Sequence, residues 1–205
     1  MEMRKDARQE LMPEFLLRAY AAGYFPMAES RGGPIRWYSP DPRAIIPLDR
    51  LKISRSLRQS IRARKMEIRY DTDFQQVMHR CAAREETWIS EEIVEAYTRL
   101  FVLGAAHSVE CWQDGRLVGG LYGVAMGGAF FGESMFSLVT NASKIALVCL
   151  VKQLTKQGFI LLDTQFLTPH LASLGAREIP RQEYLLLLHE ALEVRASFTE
   201  VPLRM

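Results

Sequence analysis

Three polar residues interrupt apolar stretches of this chain, and each could do chemistry. Asp163 and Gln165 are alternate residues at the end of the apolar run Phe159 to Asp163. A β-strand there puts both on one face, at the carboxyl end where an open α/β sheet exposes its ligand crevice. A carboxylate beside a neutral amide could accept a proton from an amine nucleophile, or hold that amine by hydrogen bonds. The same Asp could instead cap the turn that starts at Thr168-Pro169. Glu133 lies in GGAFFGESMFS (127–137), between Phe131 and Met135. Period two gives those three a common strand face, an apolar pocket with one carboxylate inside it. A carboxylate on an apolar face needs a compensating cation, which favours that functional reading over the alternative of a Glu at an edge or one paired with a buried Arg. The glycines around it let a ligand approach the backbone.

Other chemistries lack their residues. The histidines at 79, 107, 170 and 189 are scattered without HxxxH or HExxH spacing, and Cys81, Cys111 and Cys149 are far apart in apolar surroundings. Neither a metal site nor a disulfide framework is expected, and the thiols read as buried and reduced. There is no GxxxxGK[ST] loop, no GxGxxG turn and no GxSxG elbow. Trp88, Tyr97 and Trp112 read as core aromatics, with stacking of a base on Trp88 as the functional alternative.

The elements that must position these residues follow from periodicity and punctuation. Glu14 to Ala22 reads as a helix stopped by Gly23, and 28–49 carries too many Gly and Pro for long regular elements. Ser54 caps a basic helix that puts Arg55, Arg58 and Arg62 on one face. Beyond it the pattern predicts a strand at 66–70, helices at 73–83 and 90–103, and three antiparallel strands at 108–112, 117–125 and 129–136. A long helix capped by Asn141, a buried strand at 159–163, a short helix from Thr168, a strand at 177–179 and a helix at 182–192 complete the chain. The order β α α β β β α β α β resembles the GNAT-type N-acyltransferase fold, in which central strands splay and the acyl donor sits in the opening. The expectation is an α+β protein, with a small N-terminal domain over 1–50 and a GNAT-like mixed-sheet domain over 51–205. The glycine-rich pyrophosphate loop of CoA-using members is absent, its place holding SLVTNASK, so neither CoA nor any other cofactor is expected.

The 205 residues are 48% hydrophobic and 24% charged, a globular composition rather than a disordered or coiled-coil one. No apolar run approaches the ~20 residues of a membrane helix, and the start lacks a signal-type core, so a cytoplasmic protein without a membrane partner is expected. Residues 1–69 hold 15 Lys and Arg against 8 Asp and Glu, while the remainder holds 11 against 16. Such asymmetry suggests a basic face for a polyanion and an acidic one for a cationic partner.

Several strings together resemble one family, the bacterial leucyl/phenylalanyl-tRNA–protein transferases: YFPM, WYSPDPRAIIPLD, SRSLR, TWI, EAY, AHSVECW, LVGGLYGVAMG, GESMFS, NASKIAL, LLDTQ and HLASLGAREIPRQEY. The resemblance runs from about Leu16 to Tyr184. It implies transfer of Leu or Phe, and Met less well, from aminoacyl-tRNA to proteins that begin with Arg or Lys, marking them for degradation by the N-end rule. It implies that Asp163 and Gln165 orient or deprotonate the α-amine. Glu133 would meet the donor's α-ammonium or the acceptor's cationic side chain. Gly132, Met135, Leu121, Leu150 and Leu162 would line the pocket for the transferred side chain. Trp88 and Tyr97 would hold the terminal adenosine, and Arg55, Arg58 and Arg62 would touch acceptor-stem phosphates. The expected protein is a monomer. Ligases of other acceptors, such as N-terminal Asp or Glu or a peptidoglycan precursor, are the neighbouring possibility, and a non-catalytic RNA-binding module on 50–69 the more distant one.

Overall fold

In the computed structural model, residues 11–63, 65–84 and 87–199 are described. Pro13, whose missing N–H costs nothing in a first turn, starts α1 (Pro13–Ala21), and Gly23 leaves it in the left-handed region at φ 81°. The Gly/Pro-rich stretch then holds three short strands, β1 (Phe25–Ala28), β2 (Ile35–Tyr38) and β3 (Arg43–Ile45). The first two form a hairpin of their own. At three or four residues each, they are too short to set up a visible alternation, which is why punctuation alone suggested a loop.

The basic helix α2 (Arg55–Arg62) has Ser54 Oγ accepting from Leu57 N–H, and β4 (Glu67–Tyr70) follows. Asp73 and Ser90 cap α3 (Phe74–Ala82) and α4 (Glu91–Val102) in the same way. The meander β5 (Ala106–Gln113), β6 (Arg116–Met126) and β7 (Ala129–Ser137) leads to α5 (Ala142–Lys156), β8 (Leu161–Gln165), α6 (Pro169–Ser173), β9 (Arg177–Ile179) and α7 (Arg181–Glu193). Asn141 sits at the N-cap of α5 with φ 69°, but its amide donates to Ser60 Oγ of α2 rather than capping the helix.

The seven-stranded sheet runs β4-β5-β6-β7-β8-β3-β9, with β7 and β8 parallel and every other neighbouring pair antiparallel. Element order from β4 onward agrees with the GNAT-type expectation. Strand β3 comes before residue 50 in the chain, yet it sits inside this sheet between β8 and β9. One sheet face packs Tyr20, Phe74, Ile93 and Tyr184 from α1, α3, α4 and α7, and the other packs Leu57, Leu147 and Leu154 from α2 and α5. Close approach of α5 depends on Gly119, where an added Cβ would lie 2.4 Å from the Ala142 Cβ.

Two irregularities shape the centre. Tyr122 pairs with Ser134 and Gly123 with Gly132, so Glu133 is an extra, unpaired residue on β7. This bulge overturns the period-two expectation for that strand: Phe131 belongs to the core on the α1 side, while Met135 packs toward the α5 side. On β8, Ala44 pairs with Gln165 and Ile45 with Asp163, leaving Thr164 as the extra residue. Strands β7 and β8 register only over Ala129–Phe131 and Leu161–Asp163, and the bulged halves beyond these pairs border an opening.

Candidate active site

That opening is a cavity of about 740 Å³. Its wall includes Leu121, Gly132, Glu133, Met135, Leu150, Leu162, Gln165 and Trp88, so eight of the ten residues expected at the catalytic and substrate sites do surround one space. Tyr97 and Asp163 are the exceptions, and both are fully buried.

Asp163 is enclosed by donors. Arg43 Nε donates to Oδ1 at 2.9 Å and Nη2 to Oδ2 at 2.6 Å, Tyr184 Oη–H donates to Oδ2 at 2.9 Å, and Gln165 N–H donates to Oδ1 at 2.9 Å. A carboxylate offers about four acceptor positions, and all are used here. The Arg43 guanidinium is itself held between the rings of Phe25 and Tyr184, at 4.7 and 4.5 Å from their centroids, and donates to Gly23 O at 3.1 Å. Asp163 therefore has no lone pair for a substrate proton, and the expectation of direct contact with the amine gives way to a positioning role. It does not cap the following turn either, since Thr168 Oγ1 accepts from Leu171 N–H.

What Asp163 positions is Gln165, which leaves the strand in the left-handed region at φ 60°. The bond from Gln165 N–H to Asp163 holds a conformation that Gln seldom adopts. Its Nε2 donates to Glu133 Oε1 at 3.0 Å, and its amide oxygen has no hydrogen-bond partner among the described residues.

Glu133 is surrounded differently. Tyr20 Oη lies 2.7 Å from Oε1 and Tyr97 Oη 3.2 Å from Oε2, and the two hydroxyls are also within hydrogen-bond distance of each other, so two phenol protons are shared among three contacts. Tyr97 thus lies behind the carboxylate, with no face open to an adenosine, which corrects that expectation and leaves Trp88 as the aromatic on the cavity wall. Burial pushes the Glu133 carboxyl up to about 7, the tyrosine hydroxyls pulling the other way and the charge of Asp163 adding to the rise. Its donors are all neutral.

Three further polar atoms on residues of the wall, Tyr122 Oη, Thr164 Oγ1 and His170 Nε2, are buried without a hydrogen-bond partner. Unpaired groups of this kind suit a polar ligand that supplies the missing bonds. Burial and the charge of Lys144 hold the His170 imidazole below its ordinary value.

The model of the family described as leucyl/phenylalanyl-tRNA protein transferase matches residues 45–189, and that of its N-terminal domain matches residues 9–41. The chain belongs to this family. It is similar to the leucyl/phenylalanyl-tRNA–protein transferase of Herpetosiphon aurantiacus, 56% identical over 191 residues that cover 93% of this chain and 99% of the relative. The Gloeobacter violaceus protein of the same name is 54% identical, covering 92% and 97%, and that of Rhodospirillum rubrum is 54% identical, covering 94% and 93%. Among solved structures, L-PGS from Bacillus licheniformis superposes with a TM-score of 0.43 at 14% identity, over 79% of this chain and 55% of that one, a likeness too slight to argue from.

Within this transferase, Arg55, Arg58 and Arg62 are exposed on α2 and outside the cavity, and none has an ion-pair partner among the described residues. No helix of the described residues is long and apolar enough to cross a membrane. Sequence reasoning missed Arg43, Tyr20 and Tyr184. The signal for Arg43 was its place before Ala44-Ile45-Ile46 while a buried carboxylate lacked a cation; it pairs with Asp163, not with Glu133.

Proposed function

We propose that this transferase moves Leu or Phe, and Met less well, from aminoacyl-tRNA to the amino group of proteins that begin with Arg or Lys, committing them to N-end rule degradation. The observation that carries this reading is one ionisable carboxylate, Glu133, on the wall of a largely apolar cavity with a backbone glycine and an amide beside it. Leu121, Met135, Leu150 and Leu162 form the walls for the transferred side chain. Such walls separate Leu, Phe and Met by only ~1–3 kcal/mol, in keeping with a broad donor range.

In the reaction the acceptor amine attacks the ester carbonyl of the donor. The new C–N bond forms, the C–O bond to the terminal ribose breaks, the proton the neutral amine loses as it attacks ends on the ribose oxygen, and the earlier proton of the ammonium passes through Glu133 to solvent. Glu133 receives the cationic N-terminus of the acceptor and takes its proton, which frees the attacking lone pair. Gln165 orients the amine through its amide oxygen, and Asp163 with Arg43 fixes Gln165. Aminolysis of an activated ester runs downhill, so holding amine and ester at attack distance supplies several kcal/mol of the barrier without a covalent intermediate. Trp88 carries the terminal adenine by stacking, and the arginines of α2 meet acceptor-stem phosphates. The protein works in the cytoplasm as a monomer.

The test mixes labelled Leu-tRNA, Phe-tRNA or Met-tRNA with peptides beginning Arg, Asp or Ala. Label on the Arg peptide alone is expected. Label on the Asp peptide would keep the chemistry and change the acceptor class, and no label with tRNA binding intact would leave only an RNA-binding module.

A further inference from the structure

Beside the cavity lies a second cleft, of about 440 Å³, that the reaction as described does not use. Its wall is made by Gln76 and Arg80 of α3, Trp112 of β5, Arg116 and Leu117 at the start of β6, and Leu138 after β7. Arg80 and Leu138 also line the active-site cavity, so the two spaces share a rim. Neither Arg80 nor Arg116 has an ion-pair partner among the described residues, and both are exposed. Arg69, already paired with Glu67, lies over the Trp112 ring at 4.7 Å from its centroid and helps to fix that wall. Of the carboxylates next to this group, Glu67 binds Arg69 and Glu110 accepts from Trp112, Thr72 and Ser108, while Asp114, two residues before Arg116, is exposed.

The cleft is also close to the basic helix. Leu138 belongs to its wall, and Asn141, three residues on, is bonded to Ser60 of α2. Three residues span at most about 11 Å of chain, a distance that one or two nucleotides cover. Phosphates need cations that are not already neutralised, and a track of such cations leading to a cavity mouth suits a single strand.

We propose that the Arg80–Arg116 cleft holds the phosphodiester backbone of the single-stranded 3′ end of the donor RNA, just upstream of the terminal adenosine. The proposal rests on aminoacyl-tRNA being the donor. The cleft takes the two cytidine phosphates of a CCA end, whereas the α2 arginines take the stem. The two sites therefore respond to different lengths of RNA.

The experiment measures binding of a fluorescent CCA trinucleotide and of whole uncharged tRNA to the full chain, to the variant Arg80→Gln plus Arg116→Gln, and to the variant Arg58→Ala plus Arg62→Ala. The first variant should bind the trinucleotide about tenfold more weakly and lose about 1.4 from the slope of log affinity against log salt, as two single-strand phosphate contacts require. The second should bind the trinucleotide as the parent does and bind tRNA more weakly. Equal trinucleotide binding by the parent and the Arg80/Arg116 variant, with melting transitions unchanged, would overturn the proposal. A parent that binds both RNAs but transfers no amino acid would overturn the proposed reaction and not the cleft.

Discussion

Asp163 and Glu133 stand on the two strands that part at the centre of the sheet, and their surroundings could hardly differ more. Asp163 is buried against a guanidinium that forks both of its oxygens, with a tyrosine hydroxyl and a backbone N–H taking what remains. Glu133 has two tyrosine hydroxyls and one amide, all neutral, and a cavity beside it. Burial alone does not make a carboxylate reactive. What matters is whether its charge is already matched and whether a lone pair still faces the substrate.

That contrast can be broken most severely from the Asp163 side. Arg43→Met removes the matching cation and should cost about 3–5 kcal/mol of unfolding free energy, since an uncompensated charge stays buried. Denaturant titration checks this, and restoration of much of the loss by Arg43→Met with Asp163→Leu would identify the pair itself as the cause.

On the other side, Glu133→Gln should lower transfer by about 10²–10⁴-fold, the usual worth of a positioned proton acceptor, with a melting transition close to the parent's. A collapse of the melting transition equal to the loss of activity would make Glu133 structural.

Stability against pH sharpens the same comparison. A carboxyl whose folded value is raised from 4.5 to about 7 binds its proton more tightly in the folded state. Its contribution is greatest below the unfolded value and is lost as pH rises through about 7. The parent should therefore lose stability relative to Glu133→Gln between pH 5 and 8, seen as converging or crossing melting temperatures.

Smaller effects belong to the cavity wall. Trp88→Ala should raise KM for the donor about tenfold, within the range for loss of one stacked base, and lower stability as well, since the ring also packs against the core. Leu150→Phe narrows the side-chain pocket and should shift preference from Phe toward Leu by roughly tenfold, measured with both charged tRNAs in competition.

Much of this arrangement is legible in the sequence. The element order from β4 to α7 follows from period and punctuation, and Glu133 and Gln165 stand out as polar residues of apolar strands, whereas Leu121, Leu150 and Leu162 follow from the family resemblance alone. The two bulges are not legible, because a bulge depends on the register of a partner strand. For the same reason the alternation of Phe131, Glu133 and Met135 misplaced Met135. Strand β3 escaped because the four residues between Pro42 and Pro47 set no pattern, and with it went Arg43, whose role appears only when residues 43 and 163 become neighbours. Tyr97 shows the converse: the helix was foreseen, but the depth of the side chain beneath Glu133 was not.

We propose that Glu133, not Asp163, exchanges the proton during transfer, and the pH dependence of kcat/KM for transfer to an Arg-initiated peptide by the parent, Glu133→Gln and Asp163→Asn separates the two. A rise through about 7 is expected in the parent, absent from Glu133→Gln and retained, at a lower plateau, in Asp163→Asn. The acceptor amine's own titration near ~8 should be common to all three. A rise through 7 that survives in Glu133→Gln and disappears in Asp163→Asn would contradict the proposal.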